Sequence, residues 1–301
     1  IAWYENDGSE SFTVHAISTS ADGAFSVYAV DVDGDGDMDV LSASAGDDKI
    51  AWYENDGSES FTEHTITTSA DYANTVYAAD MDGDGDMDVL SASNYDDRIA
   101  WYENDGTESF TEHAISTSAN GAFSVHALDV DADGDMDVLS ASENDDKIAW
   151  YENDGSESFM EHAISTSADG ARSVHAVDVD GDGDMDVLSA SKNDNTIAWY
   201  ENDGSESFTE HAISTSADGA RSVYAADIDG DGDLDMLSAL SVNDKITWYE
   251  NFDSQEVAFV PDDKFEQVLI DLGYDDTLDD YVLTENISGV TSLDVSQKEI
   301  S

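Results

Sequence analysis

The stretch Asp80-Met81-Asp82-Gly83-Asp84-Gly85-Asp86-Met87-Asp88 puts five carboxylates into nine residues. The pattern Asp-x-Asp-x-Asp-Gly-Asp-x-Asp occurs five times, 49 residues apart. Its carboxylates are Asp31, Asp33, Asp35, Asp37 and Asp39; Asp80, Asp82, Asp84, Asp86 and Asp88; Asp129, Asp131, Asp133, Asp135 and Asp137; Asp178, Asp180, Asp182, Asp184 and Asp186; and Asp227, Asp229, Asp231, Asp233 and Asp235. Such crowded charges repel unless a hard cation with six to eight oxygen ligands joins them, and calcium fits. Positions 1, 3 and 5 converge in a tight loop. Glycine at position 6 permits the sharp turn. Position 7 is expected to offer its backbone carbonyl, and position 9 to close the shell. Copy three has Ala132 at position 4 but keeps Gly134, so its site is expected to be intact. The expectation is about five Ca2+ ions, one per loop.

An EF-hand does not fit. Its twelfth position needs a bidentate Glu, whereas here it is Ser42, Ser91, Ser140, Ser189 and Ser238. The flanks, such as Val27 to Val30 and Met38 to Leu41, are short apolar runs of strand type. A solvated acidic turn is the plainer reading of one loop, but five in register argue against it.

Tryptophan marks the same period at Trp3, Trp52, Trp101, Trp150, Trp199 and Trp248. One unit reads as four strands: A, Thr75 to Ala79; B, Val89 to Ser93; C, Ile99 to Glu103; and D, Phe110 to Ser116. The metal loop joins A to B, and Asn104-Asp105-Gly106 makes the C–D hairpin turn. Four short antiparallel strands per unit of 40 to 50 residues predict an all-β fold, a β-propeller built of four-stranded blades.

The aspartate loop between strands A and B, repeated blade by blade, resembles the FG-GAP/VCBS-type propeller repeats, including the integrin α-subunit head. The likeness covers residues 1–251. The Phe-Gly and Gly-Ala-Pro signatures of the integrin type are absent, so the bacterial branch is closer and integrin-like ligand binding is not carried over. The resemblance implies structural calcium at the loop aspartates and a ring of seven blades. The chain opens with strands C and D and ends with A, B and C, so pairing its ends would leave one strand C spare. About five blades are therefore expected as part of a larger ring.

The chain has 71 acidic and 9 basic residues, a formal charge of −62. Five calcium ions would offset ten of those charges. The rest opposes nucleic acid and anionic membranes as partners. With no cysteine, disulfides are excluded. Metal loops can replace them as staples, so an extracellular setting stays open. No apolar run is long enough to span a bilayer.

In a four-stranded meander the A–B and C–D loops share one rim, and the B–C and D–A loops the other. All seven basic residues before residue 252 fall on that second rim. It also carries most differences between units; Phe25, Asn74, Phe123, Arg172 and Arg221 occupy one equivalent position. This rim is the expected recognition face, with Tyr95, Arg98, Arg172, Lys192 and Arg221 as candidate ligand contacts. Drift and charge balancing are the competing explanation. His15, His64, His113, His162 and His211 recur at one strand-D position, and His126 and His175 replace strand-A tyrosines. Repetition makes these scaffold positions, so no catalytic residue is assigned and no enzyme is expected.

Residues 252–258 read as a linker. Beyond it, Phe265, Val268, Leu269 and Leu272 have helical spacing. Val290-x-x-Leu293-x-Val295 resembles the opening of a leucine-rich repeat, so 259–301 is expected to be the cap of a truncated second domain. The resulting expectation is a calcium-stabilised, secreted or cell-surface adhesion module that binds a polysaccharide or protein. Similar propellers in polysaccharide lyases make a carbohydrate-active enzyme the first alternative, and a passive spacer is the second.

Overall fold

The computed structural model describes residues 1–251, 257–259, 267, 269–270 and 281–283. The first sheet pairs β1 (Ala2–Asn6) with β2 (Phe12–Ala16). Four four-stranded antiparallel blades follow. Blade 1 is β3 (Ala24–Val30), β4 (Asp39–Ser44), β5 (Lys49–Asn55) and β6 (Phe61–Thr67). Blade 2 is β7 (Ala73–Ala79), β8 (Asp88–Ser93), β9 (Arg98–Asn104) and β10 (Phe110–Ser116). Blade 3 is β11 (Ala122–Leu128), β12 (Asp137–Ser142), β13 (Lys147–Asn153) and β14 (Phe159–Ser165). Blade 4 is β15 (Ala171–Val177), β16 (Asp186–Ser191), β17 (Thr196–Asn202) and β18 (Phe208–Ser214). Blade 5 has three strands, β19 (Ala220–Ala226), β20 (Asp235–Leu240) and β21 (Lys245–Tyr249). This is the five-blade propeller arrangement expected of the repeat.

Residue type explains each strand's place. β8 is Asp-Val-Leu-Ser-Ala-Ser and is buried at every position. Its small Ser and Ala let the neighbouring sheets approach, and its Val and Leu fill the gap between them. β10 alternates instead, exposing Thr111, Glu112 and Ala114 at the blade's outer edge. Leu90 pairs across the ladder with Trp101, and Trp101 with His113. The core lies between blades. One cluster joins Leu90, Ile99 and Trp101 of blade 2 to Val125, Val138 and Tyr151 of blade 3. The inner strands β3, β7, β11, β15 and β19 follow one another in contact and line the axis.

Among the described residues, the end sheets lack such covering neighbours. Ile246 is 83% exposed, whereas Ile50, Ile99, Ile148 and Ile197 are fully buried. Trp248 is 44% exposed, against none for Trp52. Among the described residues, β21 and β2 belong to separate sheets.

The chain divides into two compact units. One is Ile1–Asp229 with Leu234–Tyr249; the other is Gly230–Asp233 with Glu250–Ser301. In the second, β22 (Val257–Phe259) pairs with β23 (Tyr281–Leu283), and residues 267, 269 and 270 are helical. Val257 and Ala258 are therefore strand, not linker; a Val-Ala-Phe run suits a strand once a partner pairs with it. The leucine-rich-repeat-like stretch from Val290 to Val295 lies outside the described residues.

Candidate functional site

Each A–B loop brings together the carboxylates of positions 1, 3 and 9. The groups are Asp31, Asp33 and Asp39; Asp80, Asp82 and Asp88; Asp129, Asp131 and Asp137; Asp178, Asp180 and Asp186; and Asp227, Asp229 and Asp235. One oxygen from each member lies within 4.8 Å of the others. Position 5 is outside this triad and ties the loop instead: the Asp37 N–H donates to Asp35 Oδ1 at 2.8 Å. Asp86 and Asp84 repeat that bond at 2.9 Å. The carboxylate of Asp37, at position 7, packs against the left-handed Gly57 of its blade's C–D turn.

Backbone donors aim these side chains. Gly36 N–H donates to Asp31 Oδ2 at 3.0 Å, across the turn that position 6 makes possible. Gly36 has φ of 97°, outside ordinary L-residue space. Ala132 takes φ of 62° where other copies have glycine, and its triad still assembles. At position 9, Asp88 is fully buried. Its Oδ2 accepts from Met81 N–H at 2.9 Å and its Oδ1 from Asn104 N–H at 2.8 Å. The Asn104 amide then donates to Val32 C=O in the preceding blade's loop at 3.3 Å. The loops are thereby coupled from blade to blade.

These carboxylates fit a cation. Burial pushes Asp88 and Asp137 up to about 6, and also raises Asp186. Burial raises Asp33, Asp82, Asp131 and Asp180 too, with neighbouring carboxylates adding to the shift. Asp80 Oδ1 is buried without a hydrogen-bond partner. An unpaired buried carboxylate oxygen is costly unless a donor or metal meets it.

The opposite rim is built by bulges. Pairing along strand A steps from Ala24 to Ser26, Ala73 to Thr75, Ala122 to Ser124, Ala171 to Ser173 and Ala220 to Ser222. The residues skipped are Phe25, Asn74, Phe123, Arg172 and Arg221, the variable position of the repeat. A bulge re-aims a side chain out of the ladder. Four of these five line a cavity of about 320 Å³, together with Tyr72, Tyr95, Asn94 and Glu143. The exception, Asn74, is buried and donates to Ala122 C=O at 3.5 Å.

The cavity gathers three of the five candidate contacts: Tyr95, Arg172 and Arg221. Arg172 Nη2 donates to Glu143 Oε1 at 2.6 Å, and its guanidinium lies 4.5 Å from the Phe123 ring centre. Lys192 does not line the cavity, but its Nζ is 3.6 Å from the same Glu143 oxygen. Arg98 lies elsewhere, at the start of β9, paired with Glu112 at 2.5 Å. Lys49 and Lys147 make the same pairing with Glu63 and Glu161, each at 2.7 Å. Charge balancing thus accounts for those three cations. Sequence reading overlooked Tyr72. The signal was present, because the other units carry Gly23, Gly121, Gly170 and Gly219 there.

An FG-GAP-like repeat profile matches residues 1–42, 31–91, 80–140, 129–189 and 178–238. The chain belongs to the FG-GAP-like repeat family. Solved structures similar to this FG-GAP-like propeller include a protein from Lactobacillus plantarum, 14% identical over 85% of this chain and 80% of that one, with a TM-score of 0.51. A streptogramin B lyase is 15% identical over 80% of this chain and 74% of its own, with a TM-score of 0.50. The V. cholerae biofilm matrix protein Bap1 is 19% identical over 76% of this chain and 37% of its own, with a TM-score of 0.46. At 14% and 15% identity the likeness to the first two is one of fold. No curated protein matches. The matched family is a repeat family and names no reaction.

The strand-D histidines of the FG-GAP-like blades repeat one packing arrangement. His64 stacks on Trp52 with ring centres 4.5 Å apart, and its Nε2 is 2.8 Å from Glu54. His113, His162 and His211 repeat the arrangement on Trp101, Trp150 and Trp199. On the axis, Tyr28, Tyr77, His126, His175 and Tyr224 form a chain of rings 4.6 to 5.1 Å apart. Burial and the adjacent His175 hold His126 down to about 4.

Proposed function

We propose that this FG-GAP-like propeller is an extracellular ligand-binding module, with calcium holding its A–B loops and a polysaccharide or protein partner on the opposite rim. The observation that carries this reading is the cavity where strand-A bulges present the side chains that break the repeat. Calcium is supported by the triads, the raised carboxylates and the unpartnered Asp80 oxygen. Bound calcium would supply positive charge joining positions 1, 3 and 9, with position 5 as a further oxygen donor. Through Asp88 and Asn104 the loop would then fix the neighbouring blade. Sites of extracellular type hold calcium at about 10⁻⁴ to 10⁻³ M, which fits a millimolar-calcium environment. Among the described residues no helix is long and apolar enough to cross a membrane.

Incubation with a polysaccharide and protein panel in calcium tests the reading. Retention without cleavage supports a binding module. New reducing ends or unsaturated products would point to a carbohydrate-active enzyme instead. Absence of both would leave a passive spacer.

A further inference from the structure

We propose that the axial cavity binds a sparsely carboxylated saccharide, its sugar ring lying on the Tyr72–Tyr95 pair and its carboxylate on Arg221. The inference rests on the binding-module reading and adds to it a ligand class and a location.

The first support is Tyr72 itself. It adopts φ of 59°, as the equivalent glycines do at 63° to 72°. A bulky side chain seldom takes this conformation. The repeat fixes it: Tyr72 N–H donates to Asp48 Oδ1 at 3.0 Å, as Gly121 does to Asp97 and Gly170 to Asp146. A tyrosine has therefore been placed on a turn made for glycine. Backbone strain of this kind clusters at ligand sites.

The second support is the surface that Tyr72 builds. Its ring stacks on Tyr95 with centres 4.4 Å apart and planes 20° from parallel. Tyr95 is also singular; the other units have Gly46, Asn144, Asn193 and Val242 at its position. Phe25 lies 5.7 Å from Tyr72. Tyr95 is 65% exposed and Phe25 51%. The C–H faces of a pyranose fit a flat, solvent-open aromatic ledge of this sort. The hydroxyl tips supply polar contacts at its edge.

The third support is charge. This chain has nine basic residues, and two arginines line one cavity. Arg172 is neutralised by Glu143 and stacked on Phe123. Arg221 has no ion pair among the described residues. A guanidinium can grip a carboxylate through two parallel bonds, and a neutral sugar would leave it unused. The acidic remainder of the chain repels densely charged polymers, so the ligand's carboxylates are few.

The probe is a neutral oligosaccharide ending in one glucuronate, compared by calorimetry with the same oligosaccharide after reduction of that carboxylate to an alcohol. The chain in calcium is expected to bind the acid at least about tenfold more tightly. Arg221→Ala should abolish that preference. Tyr95→Ala and Tyr72→Gly should weaken both sugars by about tenfold or more, with melting temperatures confirming the fold. Arg98→Ala, outside the cavity, should change nothing. Equal binding of acid and alcohol, or indifference to all three cavity variants, overturns the proposal. If the oligosaccharides fail but another panel member is retained, the proposal falls and the binding-module reading stands. If nothing is retained, both fall.

Discussion

Replacing Asp88 should produce two separable losses, one with calcium and one without. Its carboxylate is fully buried and accepts the N–H groups of Met81 and Asn104. In Asp88→Ala both donors lose their acceptor. Each buried donor left unmet costs about 1–3 kcal/mol. The variant should therefore lose at most about 2–6 kcal/mol in excess chelator, less what is returned by removing a carboxylate whose ionised form burial already penalises. Calcium adds a second term. At about 10 mM calcium, a site with Kd of about 10⁻⁴ to 10⁻³ M stabilises the fold by about 1.4–2.7 kcal/mol. A variant that cannot bind forgoes that amount, so its deficit against wild type should be larger in calcium by the same margin. Denaturant unfolding of both proteins in chelator and in calcium measures all four values. Equal deficits in the two buffers would refute its membership of a metal site.

Two further outcomes follow from single backbone and ring positions. Ala132→Gly relieves a left-handed residue; the relief of about 1–2 kcal/mol is offset by about 0.4–1 kcal/mol of added freedom in the unfolded chain. Equilibrium unfolding should show a net gain of up to about 1.6 kcal/mol, and a loss would contradict the strain. His126→Tyr restores the residue of units 1, 2 and 5. The folded His126 is held down to about 4 from an ordinary value of 6.5, so the unfolded chain takes up its proton first as pH falls. Its neutral form supports the fold above pH 6.5, and that support is lost on falling toward pH 4. Relative to the variant, wild type should lose up to about 3 kcal/mol across that window. A constant difference from pH 7.5 to 4 would show that His126 is not buried neutral.

The blades were legible because their signal is repeated. Trp101, the Asp80–Asp88 loop and the Asn104-Asp105-Gly106 turn recur at a fixed period, and each constrains its neighbours in the chain. Strand boundaries came within two residues: β7 begins at Ala73 where the sequence reading began at Thr75. The missing residues are the bulge residue Asn74 and Ala73 before it, and an apolar pattern cannot register a bulge. The loop aspartates were legible as a set, but the grouping of positions 1, 3 and 9 depends on how backbone N–H groups turn each carboxylate. The rim opposite the aspartate loops stands out by its variation, yet variation alone does not separate Arg98 from Arg172. Arg98 reaches Glu112 on the adjacent strand, whereas a bulge carries Arg172 to the axis. Tyr72 is one more difference between units, at a position where the others carry glycine. A glycine position occupied once by tyrosine becomes informative when its φ is known.

The central claim is that calcium in the five loops holds the blades together. Its most direct test is a thermal melt in about 10 mM calcium against excess chelator, with magnesium as the control. Five sites at about 1.4–2.7 kcal/mol each sum to about 7–13 kcal/mol. At about 2–4 °C per kcal/mol for a domain of this size, calcium should raise Tm by about 15 °C or more. Magnesium should do little, because it dehydrates reluctantly and demands a tighter octahedral shell. Coincident melts in calcium and chelator, or an equal rise with magnesium, would contradict the account.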